Sequence, residues 1–336
     1  MAAAAYTIPT IPITRVQAFV DLGARRGWDV EAILREAGIS PLLLAEERSR
    51  VTSEQASKLL QLLAAATDDE LMGLGPAPVP RGTFRLLSFG LLGSADVDTV
   101  LARGERFCKA LPGIPPMSAS TEGALTTLSM DLSGIDDPMD LLIDSLLAIV
   151  HRFIGWAIGR RIPLARIEVP YANAAKVDDY DPIFGSPVVF GAPAPALVFP
   201  SEILNAPLVR TDAELEEYLR NSPGVLLARR DYGTSLSDRV RRMLKPGRQE
   251  QLPNMDDIAA RLGMSPQTVR RKLHEEATSL REIREEVLRD AAITSLSSGD
   301  ETVAALSDRL GFSEPSAFTR AFRRWTGSRP GSYRPE

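Results

Sequence analysis

The chain has 336 residues, 44% of them hydrophobic, which is enough for two separately cored domains and more than one core ordinarily carries. A single cysteine excludes an internal disulfide framework and a multi-cysteine zinc site, and fits a reducing compartment. The net charge of −5 gives no sign of a nucleic-acid partner, but it is uneven: residues 234–336 hold 18 Lys and Arg against 15 Asp and Glu, leaving 21 against 29 for residues 1–233.

Residues 1–6 are small and apolar, without the basic segment and long hydrophobic run of a signal peptide, so a cytoplasmic location is expected. Helical periodicity marks residues 14–22, 30–36 and 53–66, the last with a cap at Thr52 or Ser53. Prolines at 76–80 break the run. A helix is expected over 95–111, where Val97, Val100, Leu101, Phe107 and Cys108 are spaced along one face, followed by a strand over 123–132. Pro138 opens a long helix that is apolar around almost its whole circumference, as expected of a helix crossing a domain core. Its residues 141–158 contain Asp144, His151 and Arg152, too many polar groups for a membrane span. Short strands are expected at 167–170, 188–190 and 196–199. The fold class read from this pattern is an α+β domain over 1–220, a linker over 221–234, and an all-α domain over 235–336.

The all-α part contains a repeated motif. In PNMDDIAARLGMSPQTVRRKL, residues 253–273, Ile258 and Leu262 share a helix face, Gly263 suits a left-handed turn, and Ser265 caps a helix whose first residue is Pro266. Val269 and Leu273 face inward, leaving Gln267, Arg270, Arg271 and His274 as the outer stripe. Gln pairs well with adenine and Arg with guanine in the major groove, although a capped helical hairpin with a solvated face has the same pattern. The arrangement recurs in ETVAALSDRLGFSEPSAFTRAFRRWTG, residues 301–327, with Leu306 and Leu310, a turn at Gly311, and Phe318 and Phe322 facing inward. Trp325 can close that small core. The outer stripe is Ser316, Thr319, Arg320 and Arg323. Residues 279–296 supply one connecting helix, and two heads on a rigid helix suit successive major-groove segments about 34 Å apart. The alternative is a helical interaction domain without DNA.

The run GFSEPSAFTRAFRRWTGSRPGSYR, residues 311–334, supported by IAARLGMSPQTVRRKL, residues 258–273, resembles the AraC/XylS family of bacterial transcription regulators. The resemblance implies a seven-helix DNA-binding domain in which Gln267, Arg270 and Arg271 of one head and Pro315, Ser316 and Arg320 of the other face the major groove. Ala277 and Ser307 depart from the glycine and alanine usual there. Pro315 has no side-chain donor, so the second head is expected to read fewer bases. Residues 79–107 and 184–208 resemble the mixed α/β sensor domain, described as arabinose-binding-like, of one branch of the family. That resemblance implies double-stranded DNA and a small-molecule effector as partners, with a homodimer and a contact to RNA polymerase as further expectations, and no membrane. For the effector, Leu142, Leu146, Ile149, Phe153 and Trp156 offer an apolar wall, and His151, Arg152, Tyr171 and Tyr180 offer polar groups, suiting a partly hydrophobic ligand with a carboxylate or hydroxyl. The same residues also suit a plain core, with the N-terminal half serving dimerisation or protein contacts.

An enzyme is the alternative of a different class. The only histidines, His151 and His274, fall in different predicted domains without a metal-ligand pattern. Cys108 lacks a CxxC or Cys/His arrangement. The acid pairs Asp136/Asp137 and Asp178/Asp179 sit at predicted turns. No catalytic residue, metal or cofactor is expected.

Overall fold

The computed structural model describes residues 10–135, 141–172, 186–220, 235–244, 252–276 and 278–335. They gather into two compact units. One takes the described parts of Thr14–Ile33 and Ala56–Leu227; the other takes those of Met1–Ile13, Leu34–Gln55 and Ala228–Glu336. The sequence reading drew a single divide around residues 221–234; the contacts group two N-terminal stretches with the C-terminal helices.

The N-terminal helices are α1 (Ile13–Arg25), α2 (Val30–Glu36) and α3 (Ser53–Thr67), close to the expected spans. Thr52 caps α3 reciprocally with Gln55: the Gln55 amide donates to Thr52 Oγ1 at 3.1 Å and the Thr52 amide to Gln55 Oε1 at 3.0 Å. In the α+β unit, Asp69 accepts the amides of Leu71, Gly73 and Val79 at 2.9, 2.8 and 2.8 Å, fixing the proline-rich loop. Glu70 accepts the amides of Gly82 and Phe84 at 2.7 and 2.8 Å and so starts α4 (Thr83–Leu92), a helix the sequence reading did not assign. Burial pushes the Glu70 carboxyl above its ordinary range, with those two amides pulling the other way. The cap of α4 comes from twelve residues upstream, because Gly82 has no side chain to offer. Asp96, accepting the Thr99 amide at 2.9 Å, caps α5 (Val97–Ala110).

The sheet of this unit runs β3 (Met117–Glu122), β4 (Leu125–Met130), β7 (Ala196–Pro200), β5 (Arg166–Val169), β6 (Val188–Phe190), with only β5 and β6 parallel. The expected strand over 123–132 is the second arm of a hairpin with Glu122 opposite Leu125. Its turn uses the left-handed Gly123, φ +60°. Its first arm, MSASTE, is an exposed edge strand, so no face of it alternates and the pattern could not announce it. Helix α6 (Leu141–Ala157) is buried or half-buried on every side, as expected of a core helix, and packs on β7. Its expected start at Pro138 lies outside the described residues. The core joins Leu128, Met130, Leu147, Phe153, Ile154, Ile167, Leu197 and Phe199. Helix α7 (Asp212–Arg220) closes the unit. Thr211 and Glu214 form its capping box, Thr211 N to Glu214 Oε2 at 2.9 Å, a T-x-x-E signal present in the sequence but not used.

In the second unit a two-residue ladder pairs β1 (Ile11–Pro12) with β2 (Arg50–Val51), beside a 3-10 turn at Pro41–Ala45. The C-terminal region is helical: α8 (Leu236–Met243), α9 (Met255–Leu262), α10 (Pro266–Glu275), α11 (Leu280–Ser298), α12 (Val303–Arg309), α13 (Pro315–Thr326) and a 3-10 turn at Pro330–Tyr333. No described helix in either unit is long and apolar enough to cross a membrane.

Candidate nucleic-acid interface

Each head is a short helix, a left-handed glycine, and an outward helix. In the first head, Asn254 Oδ1 accepts the amides of Asp256 and Asp257 at 2.9 and 3.0 Å while Asp257 Oδ2 accepts the Asn254 amide at 2.9 Å, a complete capping box on α9. Gly263, φ +65°, turns the chain, and Ser265 Oγ accepts the Thr268 amide at 3.1 Å to start α10 at Pro266. Val269 and Leu273 are buried with Ile258, Ala259 and Leu262, together with Leu236, Val240 and Leu244 and with Ile283 and Val287 of α11. Because those apolar positions fix the rotation of α10, Gln267, Arg270, Arg271 and His274 all stand exposed on its other side, as the sequence pattern implied. Arg271 is ion-paired to Glu275 at 2.5 Å, but both side chains are more than half exposed, so the pair is weak and exchangeable.

The second head repeats the plan with different materials. Thr302 Oγ1 caps α12 through the Ala305 amide at 3.1 Å, and Gly311 turns at φ +81°. Phe318 and Phe322 are fully buried, 5.6 Å apart. Tyr333 stands edge-on to Phe322 at 5.1 Å, and Phe312 packs on Phe318 at 5.5 Å. Trp325, expected beside the two phenylalanines, is half-buried against Phe312 at 6.1 Å; Tyr333 takes the place beside Phe322. On the outer side Pro315, Ser316, Arg320 and Arg323 are exposed and Thr319 is half-buried. Thr319 Oγ1 donates to the Pro315 carbonyl at 2.9 Å and Ser316 Oγ to Glu314 Oε2 at 3.0 Å, so both hydroxyls are engaged within their own helix start. Arg270, Arg320 and Arg323 form no ion pair among the described residues, which leaves three exposed guanidinium groups for phosphate or base edges.

Two supports went unread. Glu276 accepts the amides of Leu236 and Ser237 at 2.8 and 2.9 Å, capping α8 from 40 residues away; burial alone raises its carboxyl, but those hydrogen bonds bring it below the ordinary range. Arg284 of α11 donates to the Pro253 carbonyl at 2.7 Å, tying the connecting helix to the start of the first head. Arg334 donates to the Glu301 carbonyl of its own unit.

The residues expected around an effector lie on or near α6. His151 is buried, and its Nε2 donates to the Ile162 carbonyl at 3.0 Å; burial lowers its pKa to about 4. The imidazole is therefore neutral with the proton on Nε2. Arg152 is fully buried. Phe153 and Trp156 are brought together at 6.1 Å, with Tyr218 stacked on Trp156 at 4.5 Å and Arg210 over the same indole at 5.6 Å. Tyr171 donates to Asp144 Oδ1 at 2.5 Å and packs on Phe190. Leu142 is buried, and Leu146 and Ile149 are partly so. Tyr180 lies outside the described residues. Cys108 is a buried free thiol whose pKa is raised by burial.

Comparison with known proteins matches residues 27–208 to the arabinose-binding domain of AraC transcription regulators and residues 258–336 to a helix-turn-helix domain. The chain is 24% identical over 337 residues to an ornithine utilization regulator of Pseudomonas aeruginosa, covering 98% of this chain and 97% of the relative. It is 27% identical over 346 residues to an uncharacterized HTH-type transcriptional regulator of Mycobacterium tuberculosis, covering 96% and 95%. A transcriptional activator of a Rhodococcus species, NphR, is 37% identical over 98 residues, 29% of each chain.

Proposed function

Because the chain belongs to the AraC/XylS family of bacterial transcription regulators, with a sensor domain and a helix-turn-helix domain, and is not an enzyme, we propose that it reads a specific double-stranded DNA site with two heads. Gln267, Arg270, Arg271 and His274 are the reading surface of the first head, and Pro315, Ser316, Thr319, Arg320 and Arg323 that of the second. The observation carrying this reading is the outward stripe opposite a buried apolar stripe on both α10 and α13. Arginine spans guanine O6 and N7, Gln267 suits adenine, and the remaining arginines suit phosphate. The second head, with its hydroxyls engaged and Pro315 at its tip, contributes through Arg320 and Arg323. The test is a titration of the full chain against genomic fragments at near-physiological salt. A specific fragment is expected to compete at least about tenfold better than random DNA, and binding is expected to weaken steeply with salt. Equal competition by all fragments contradicts the reading.

The sensor domain, in the same proposal, takes a small effector with an apolar body and a carboxylate or hydroxyl. Arg152, fully buried on the core helix, supplies a guanidinium for the polar end; Tyr171 and the neutral His151 supply orienting groups. The aromatic packing of Phe153 and Trp156 on Tyr218 equally supports the plain core, in which this half serves dimerisation or protein contacts. A thermal-shift panel separates the two. Ornithine belongs in it because one similar protein is an ornithine utilization regulator. An effector raises the melting temperature and changes the DNA-binding curve; a panel without any shift favours the plain core. Homodimerisation and contact with RNA polymerase complete the proposal, the first tested by sedimentation of the full chain across concentration.

A further inference from the structure

Two stretches from the start of the chain converge on the far end of the second recognition helix. Ser49 is fully buried, its Oγ 3.4 Å from the Thr326 carbonyl and 3.1 Å from Ser328 Oγ. Arg48 Nη1 donates to the Arg324 carbonyl at 3.4 Å. Both carbonyls belong to the last turn of α13, where helix acceptors lack intrahelical partners and a positive charge suits the helix dipole. The Arg50 amide donates to the Tyr333 hydroxyl at 3.2 Å, and the Tyr333 ring stands against Phe322, in the core of the head. Thr10, itself buried, donates to Asp290 of α11 at 2.7 Å and accepts from Arg50 Nε at 2.7 Å. Gly327 ends α13 in the left-handed region, φ +72°, a backbone conformation that favours glycine.

We propose that residues 48–50, with Thr10, are a positioning clasp for the second recognition helix, so that base reading by the second head depends on residues 276–283 positions earlier in the chain. The clasp grips the last turn, at the end opposite Pro315 and Ser316. It leaves the exposed side chains of Pro315, Ser316, Arg320 and Arg323 open while fixing the direction of the helix. Position matters more here than in the first head, because Glu314, the N-cap of α13, makes no side-chain cap bond, whereas Ser265 caps α10. A 12-residue helix is about 18 Å long, and a swing of about 5° at the clasped end moves the reading end by about 1.5 Å, enough to break a base hydrogen bond. Both flanks of the clasp segment, beyond Leu34 and Gln55, continue into the sensor unit.

This inference rests on the second head reading DNA, and the test separates the two claims. In the full chain, Thr10→Val with Tyr333→Phe removes two hydroxyls while keeping both shapes; Thr10→Ser with Tyr333→Phe restores one. The probes are a duplex selected from random sequence by the unmodified protein and the same duplex with the bases opposite the second head scrambled. The expected result is that the double variant binds the intact duplex about tenfold more weakly and the scrambled one unchanged, with Thr10→Ser regaining most of the loss. Hydrogen exchange at the amides of residues 322–327 is expected to quicken while residues 258–273 stay as they were. The clasp is overturned if the variant discriminates as well as the unmodified protein, or if both probes weaken in parallel. An unmodified protein that ignores the scrambling sinks the DNA-reading claim instead; unaltered exchange over 322–327 then overturns the clasp independently.

Discussion

The two heads share one plan and differ in what holds them. The first is local: its capping box, Ser265 cap, left-handed Gly263 and aliphatic core all lie between Leu236 and Val287. The second has an aromatic core, a recognition helix with no side-chain N-cap bond, and a last turn gripped by Arg48 and Ser49. Duplication of a motif therefore does not duplicate its supports. A head whose supports are local is expected to stay formed when distant parts of the chain change; one whose supports are distant is open to them.

The largest expected effect comes from striking the aromatic core. Phe322→Ala removes a fully buried ring and is expected to destabilise the second head by about 3–5 kcal/mol, with exchange over 258–273 unaffected. Collapse of both heads together, seen by hydrogen exchange, would break the distinction between them. Acid sharpens the comparison from outside, through a buried group of the sensor unit. Folded His151 titrates at about 4 against 6.5 for the free side chain, so between these values the unfolded chain binds a proton that the folded chain does not. The stability it contributes is intact above pH 6.5 and is lost as pH falls through the window, by up to about 3 kcal/mol at pH 4. Melting curves across this range should show a shallower loss for His151→Gln; an unchanged slope would remove the buried neutral imidazole from the account.

Reading and folding separate next. Arg270→Ala is expected to weaken binding by about 1–3 kcal/mol with an unchanged melt, because the side chain stands exposed. A melting loss as large as that of Phe322→Ala would put Arg270 inside the fold rather than on its reading face. The smallest effects concern the caps. Ser265→Ala should cost about 1 kcal/mol in the first head, whereas Glu314→Ser should gain up to about 1 kcal/mol in the second by supplying the missing cap. Two losses of similar size would mean that Glu314 already serves as a cap.

What the sequence disclosed follows the same divide. The first head, both glycine turns, the outward stripes, α1 to α3, and β5 to β7 were legible because their signals are periodicity, caps and turns within a few residues. Helix α4 was not, because Glu70 starts it from across a loop; β3 was not, because an exposed edge strand of Ser and Thr has no inward face. Helix α7 was legible in principle, through Thr211 and Glu214. Nothing local in residues 48–50 announces a partner near residue 330; only the fold brings Ser49 to Thr326. The effector residues were read as one group, four of them from one apolar helix together with Tyr171 and Tyr180, but that helix is buried or half-buried on every side: Trp156 stacks with Tyr218, His151 meets the Ile162 carbonyl, and Tyr171 meets Asp144.

The central claim is that two separate heads read two parts of one DNA site. It is tested most directly by measuring the full chain, Arg270→Ala and Arg320→Ala on every single-base-pair variant of a duplex selected from random sequence. The account predicts that Arg270→Ala relaxes the preference at one cluster of base pairs and Arg320→Ala at another, about one helical turn or 10 base pairs away. Relaxation at the same base pairs by both variants, or failure to select any duplex bound about tenfold more tightly than random DNA, would contradict it.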